Sequence, residues 1–221
     1  MRWLKWILVL FALTSISDCP GVYFQEPQPP GAKNLNSFPK KLRGKYYSLP
    51  DSMILTVDER LMVLEDDSIF DMPKDEMGDS FYFVLEAVKD TFISLGEGEK
   101  IRMIFLGETQ NDIRMHWYIT DTIFYLSEPN VLRKWRGNYY LNSLQDKEFW
   151  EVKKLQEIKN KIVIGSTIKE DEKYLLELIS PVDSTYGWED TTYIFKPTKS
   201  EFKKFLEKGG FRKSQEFTRS E

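Results

Sequence analysis

Ile113-Arg114-Met115-His116-Trp117-Tyr118-Ile119-Thr120 alternates apolar and polar side chains over eight consecutive residues. A period of two places Ile113, Met115, Trp117 and Ile119 on one side of a strand, and Arg114, His116, Tyr118 and Thr120 on the other. One face therefore meets a core and the other meets water. Outward from this segment the same signal recurs as short apolar runs at 53–57, 61–65, 81–88, 91–95, 101–106, 122–126, 149–155, 162–168, 173–179, 191–195 and 211–217. Turn-forming clusters separate the runs at Asp66-Asp67, 73–79, Gly96-Glu97-Gly98, 110–112, 159–160, 170–172 and 183–187. About a dozen short strands spaced by roughly 8–12 residues predict a mainly β protein, an antiparallel barrel or sandwich.

One helix is expected. Thr198 and Glu201 form a Thr-x-x-Glu capping box, Phe202, Phe205 and Leu206 recur at helical spacing, and Gly209 stands where a left-handed residue ends a helix. Composition agrees with a globular β fold: 221 residues, 41% hydrophobic, 30% charged, 14% aromatic, and only 12 Gly.

Leu42-Arg43-Gly44-Lys45-Tyr46-Tyr47 and Trp135-Arg136-Gly137-Asn138-Tyr139-Tyr140 share one pattern, and two β-like runs follow each copy. Chance can produce one such match, but the matching sequels favour two related halves, 38–131 and 132–221. Gly44 and Gly137 would then mark strand bends or close backbone approaches.

The N-terminus reads as a leader. Arg2 and Lys5 precede an apolar run from Trp6 to Leu13 that is shorter than the roughly 20 residues needed to span a bilayer, and small polar residues follow. Residues 1–18 are expected to be a signal peptide. Cys19, the one cysteine of the chain, stands directly after it and resembles the lipid-acceptor Cys of bacterial lipoproteins, with Ile16 and Ser17 fitting the residues before it. Asp18 departs from the small residue expected at that place. Cleavage after Ser17 is the alternative, and would release a secreted chain with a free thiol.

A mature chain starting at Cys19 keeps 29 basic and 34 acidic side chains, a net charge of −5. Residues 19–37, with Pro20, Pro27, Pro29, Pro30, Gly21 and Gly31, read as the lipidated Cys and a flexible tether, and 38–221 as the β-rich domain.

Cys19, Tyr23-Phe24, Pro27-Gln28-Pro29, Phe38-Pro39 and Arg43-Gly44-Lys45-Tyr46-Tyr47 resemble the start of uncharacterised lipoproteins of Bacteroidota-type bacteria. The segments around Trp135 to Asn142 and Phe149-Trp150-Glu151-Val152 are similar to the same group. The resemblance covers about a quarter of the chain and implies export and anchoring, with no activity. The Gly-x-Tyr-Tyr opening is also similar in placement to the Gly-x-Trp of lipocalin-like barrels, which would imply a small apolar ligand.

Catalytic chemistry finds few candidates. His116 is the one histidine, and it falls on the polar side of its strand with Arg114 and Thr120. A triad would have to use it, and no Gly-x-Ser-x-Gly turn accompanies it. Metal sites built on His and Cys lack ligands. The carboxylates Asp66-Asp67, Asp71 with Asp75 and Glu76, Glu170 to Glu172, and Glu189-Asp190 are expected in solvated turns. Gly96-Glu97-Gly98 and Gly209-Gly210 lack the context of a phosphate cradle and read as a hairpin and a helix cap.

Basic residues gather at Lys40, Lys41, Arg43 and Lys45, and again at 196–213, where seven stand against two acidic ones. A net charge of −4 argues against nucleic acid as a partner. Tyr186-Gly187-Trp188 reads as an ordinary turn packed on the barrel end, with a ligand-contacting loop as the alternative.

The expectation is a non-catalytic binding or envelope-interaction module, lipid-anchored through Cys19, with no catalytic residue, cofactor or metal. It would sit in the bacterial envelope, at the outer membrane rather than the inner, with a secreted periplasmic form as the alternative. Its partner would be an envelope protein or a small apolar ligand. The rival readings are a structural partner of envelope proteins and a periplasmic enzyme working through carboxylates.

Overall fold

The computed structural model describes residues 22–48, 53–74, 91–94, 100–145, 148–165, 170–178, 182–186, 191–212 and 214–220. The strands are β1 Val22–Phe24, β2 Asn34–Leu35, β3 Gly44–Ser48, β4 Met53–Val57, β5 Leu61–Pro73, β6 Thr91–Ser94, β7 Lys100–Glu108, β8 Asp112–Tyr125, β9 Val131–Trp135, β10 Asn138–Gln145, β11 Phe149–Ile158, β12 Lys161–Gly165, β13 Val182–Tyr186, β14 Thr191–Phe195 and β15 Ser214–Arg219. The helices are α1 Glu170–Glu177 and α2 Lys199–Glu207. The expected class, mainly β with antiparallel pairing and a C-terminal helix, is the class observed. The chain divides into two compact units, the first from 1–33, 133–154 and 165–214, the second from 34–132, 155–164 and 215–221.

In the first unit β13, β14, β1 and β11 neighbour one another in that order, and β10 pairs with β11 and β9. β1 runs parallel to β14, with Val22 opposite Tyr193 and Phe24 opposite Phe195. The core joins Phe24, Tyr140, Val152 and Phe195 to Leu176 of α1 and to Phe202 and Phe205 of α2. The rings of Phe24 and Phe202 meet edge to face at 6.2 Å, and those of Tyr140 and Phe202 at 5.5 Å. The capping box forms as expected: Thr198 N donates to Glu201 Oε2 at 2.7 Å, and Glu201 N donates to Thr198 Oγ1 at 3.3 Å.

In the second unit the strand order is β12-β15-β3-β4-β5-β8-β7-β6. Its buried side chains include Phe38, Leu55, Met62, Phe124, Leu155, Ile162 and Phe217. β5 and β8 are long partners from Leu61–Tyr125 to Pro73–Asp112, and β7 lines the other side of β8. The alternation in burial is seen at 113–115, where Ile113 and Met115 are buried and pack with Phe70 and Met72 while Arg114 is exposed; 116–120 are half-buried on both faces, Trp117 and Ile119 included.

Five expectations are corrected, the first being that 183–186 belong to strand β13, paired with β14, rather than to a turn. Residues 173–177 do not form a strand, because 170–177 is helix α1. Tyr174-Leu175-Leu176 fits either period, and here Leu176 enters the core. Asp66, Asp67 and Asp71 lie inside β5 rather than in a turn, held by pairing to Ile119, Tyr118 and Arg114. The strand expected at 211–217 begins at Ser214, since Phe211 is a left-handed residue (φ 63°) buried in the first unit's core. The stretch expected to be a flexible tether is folded from Val22 onward.

The Gly-x-Tyr-Tyr copies take different backbones. Arg136 and Gly137, both at positive φ (50° and 82°), form the two-residue turn between β9 and β10 that suits a hairpin. Gly44 instead opens β3 at φ 139° after a 3-10 turn at Lys40–Leu42. A Cβ at Gly137 would meet nothing within 4 Å, and one at Gly44 only the Arg219 guanidinium at 3.6 Å. Conformation, and not close approach of another backbone, explains both glycines.

Candidate functional site

Of the residues singled out in the sequence, Cys19 lies outside the described residues, as do the expected strand at 81–88, Asp75, Glu76, Gly96-Glu97-Gly98, Gly187-Trp188 and Glu189-Asp190. Two clusters of polar side chains can be built from what is described.

The first is a cross-strand ladder on β5 and β8. Glu65, Asp67, Ile69 and Asp71 share a face with Thr120, Tyr118, His116 and Arg114, because residues opposite one another in an antiparallel pair point the same way. His116 Nε2 contacts Asp67 Oδ1 diagonally across the pair, and the His116 side chain is 28% exposed. Arg114 Nε lies 3.0 Å from Asp71 Oδ1. Tyr118 Oη donates to Glu65 Oε1 at 2.9 Å, and that bond first, burial second, raises the phenol above its ordinary range.

His116 therefore orients against a carboxylate, flanked in register by Ile69 and Ile104. The neighbouring hydroxyl is held protonated rather than activated. This arrangement can recognise a polar partner. Among the described residues, no group of three or more His, Cys, Asp or Glu is gathered as a metal site would need.

The second cluster fastens the N-terminal segment to the first unit. Gln28 and Asn142 are both 0% exposed. Gln28 N donates to Asn142 Oδ1 at 2.5 Å, and Asn142 Nδ2 donates to Gln28 O at 3.0 Å and to Tyr140 O at 3.1 Å. Arg133 Nη1 donates to Pro27 O, and to Pro29 O at 2.9 Å. Burial lowers the guanidinium's pKa, with Glu26 acting in the opposite sense. Gln25 N donates to Phe195 O at 3.0 Å. A proline-rich segment of low apolar content is thus ordered, its backbone groups satisfied by Asn142, Arg133 and Phe195.

Sequence reasoning missed Gln28, Arg133 and Asn142 as a group. The available signal was Asn142 itself, a polar residue closing the apolar run Tyr139-Tyr140-Leu141 in the middle of a strand.

The basic residues part company. In the second unit Lys41 pairs with Glu157, and Arg43 lies 3.2 Å from Glu59. On α2 the cations stay on the exposed side, with Arg136 and Lys203 reaching Glu207 at 3.2 and 3.6 Å. Comparison with known proteins gave no match to a family model, a curated protein or a solved structure.

Proposed function

We propose that the protein is an exported bacterial lipoprotein, anchored to the envelope through Cys19 and acting as a non-catalytic binding or envelope-interaction module. The observation that carries this reading is the order of its parts: an export-type leader, a single thiol at Cys19, and a buried strand starting at Val22. An acyl group supplies about 0.8 kcal/mol of membrane affinity per buried CH₂, and two or more chains make the attachment effectively stable. Among the described residues no helix is long and apolar enough to cross a membrane.

As to what it binds, an envelope-protein partner is favoured over a small apolar ligand. Ile69 on β5 and Phe105 and Leu106 on β7 are large apolar side chains left exposed at 60%, 36% and 47%. Ile69 stands within the charged ladder of Asp67, Asp71, Arg114 and His116, a mixture of the kind used by non-obligate protein interfaces, while Phe105, opposite Met115, belongs to the other face.

The test is fractionation of cells producing the parent and Cys19→Ala, with the membranes washed in about 0.5 M salt to screen electrostatic contacts. The parent is expected in the membrane fraction and the variant in the soluble one. A variant that stays with the membrane overturns the reading.

A further inference from the structure

We infer that the exposed side of helix α2 is a membrane-contact surface, resting on the anionic headgroups of the bilayer that holds Cys19. Where the protein sits rests on the lipoprotein reading above; the chemistry of the patch does not.

Reach is the first support. Val22 is 2% exposed and paired in β1. Only the steps from Cys19 to Val22 separate the thiol from that strand, and three residues span at most about 10 Å. Phe24, two residues further on, packs its ring 6.2 Å from that of Phe202 on α2. A bilayer holding Cys19 is therefore kept within a few residues' length of the unit that carries α2, and that unit cannot drift away on a long leash.

Charge is the second. From Lys196 to Arg212 the described residues include Lys196, Lys199, Lys203, Lys204, Lys208 and Arg212, all exposed. The two acidic residues in this stretch are already engaged. Glu201 folds back onto the Thr198 amide at 2.7 Å, and Glu207 takes Arg136 and Lys203. Lys196, Lys204 and Lys208 carry their charge outward, whereas Lys41 and Arg43 of the second unit lie against Glu157 and Glu59. A chain with net charge −4 is repelled by an anionic surface unless it presents such a face.

The apolar side of α2 is committed to the core through Phe202 and Phe205. The contact is thus electrostatic rather than insertional, and it is screened over a Debye length of about 8 Å at physiological salt.

The test uses the full chain with Cys19→Ser, so that acylation plays no part, in co-sedimentation with vesicles. Phosphatidylcholine vesicles containing about 30% phosphatidylglycerol should bind it at about 0.1 M salt and release it at about 0.5 M, while pure phosphatidylcholine should not bind. Replacing Lys196, Lys204 and Lys208 together by Gln should weaken binding about fivefold per charge, about a hundredfold in all. Replacing Lys40, Lys41 and Lys45 by Gln should leave it within about twofold, since these belong to the second unit, to which the inference assigns no contact.

Equal binding by the two triple variants, binding to pure phosphatidylcholine, or capture of heparin without capture of vesicles would each overturn the inference. An unacylated parent whose vesicle binding still depends on Lys196, Lys204 and Lys208 would sink the lipoprotein reading and leave the surface standing. An acylated parent whose Cys19→Ser form shows no preference for phosphatidylglycerol would do the reverse.

Discussion

Replacing Asn142 by Leu keeps the side chain's approximate volume and removes its hydrogen bonds to Gln28 N, Gln28 O and Tyr140 O. Gln28 is 0% exposed, so water cannot take over while the segment stays in place. Each orphaned buried group costs about 1–3 kcal/mol, with an N–H nearer the top of the range than a carbonyl that keeps other partners. The variant should therefore lose about 3 kcal/mol of the N-terminal segment's attachment. Segment 25–33 can also detach locally, so the global urea midpoint moves by less than the full amount. The sharper readout is amide hydrogen exchange at Gln28, which should speed up about a hundredfold in the variant, the equivalent of that loss. If the Gln28 amide already exchanges at the unprotected rate in the parent, and Asn142→Leu changes nothing, the segment is a free tether and the reasoning from buried amides is wrong.

Other outcomes follow from the first unit's packing. Phe24→Ala empties a fully buried ring site against Phe202 and should destabilise by about 3–5 kcal/mol in urea unfolding, where a tether residue would have no effect. Gly210→Ala would place a methyl 2.3 Å from Phe205 Cζ, so a loss of about 1–3 kcal/mol in thermal unfolding is expected. Burial pushes the Tyr140 phenol well above its ordinary value of 10.0. The unfolded chain then releases that proton first as pH rises. Stability should be flat below about pH 10 and fall above it by about 1.4 kcal/mol per pH unit from this group, a slope that Tyr140→Phe removes.

What was legible in the sequence was local. The strand expected at 113–120 is part of β8, and its alternation in burial holds at 113–115, where Ile113 and Met115 are buried, and burial of one face fixes register. The Thr198–Glu201 box and Gly209 are readable because cap and partner lie within four residues. What stayed hidden needed distant partners. Asp66-Asp67 has turn composition, yet His116 and Tyr118 across the pair make it strand. Gln28 meets Asn142 across 114 residues, and nothing in Pro27-Gln28-Pro29 distinguishes a buried segment from a leash. The repeat motif shows the converse: six matching residues do not dictate one backbone when the neighbours differ, as Gly44 and Gly137 demonstrate.

The polar ladder was half legible. The side of the sheet facing solvent could be read from period alone, whereas the pairing of His116 with Asp67 required β5 to be longer than its apolar run suggested.

Intact mass of the protein extracted from the membrane fraction reports the account's central claim most directly. A chain beginning at Cys19 and carrying acyl mass on that residue is the predicted result. A soluble chain with a bare thiol, or a membrane-extracted chain still carrying residues 1–18, would contradict it.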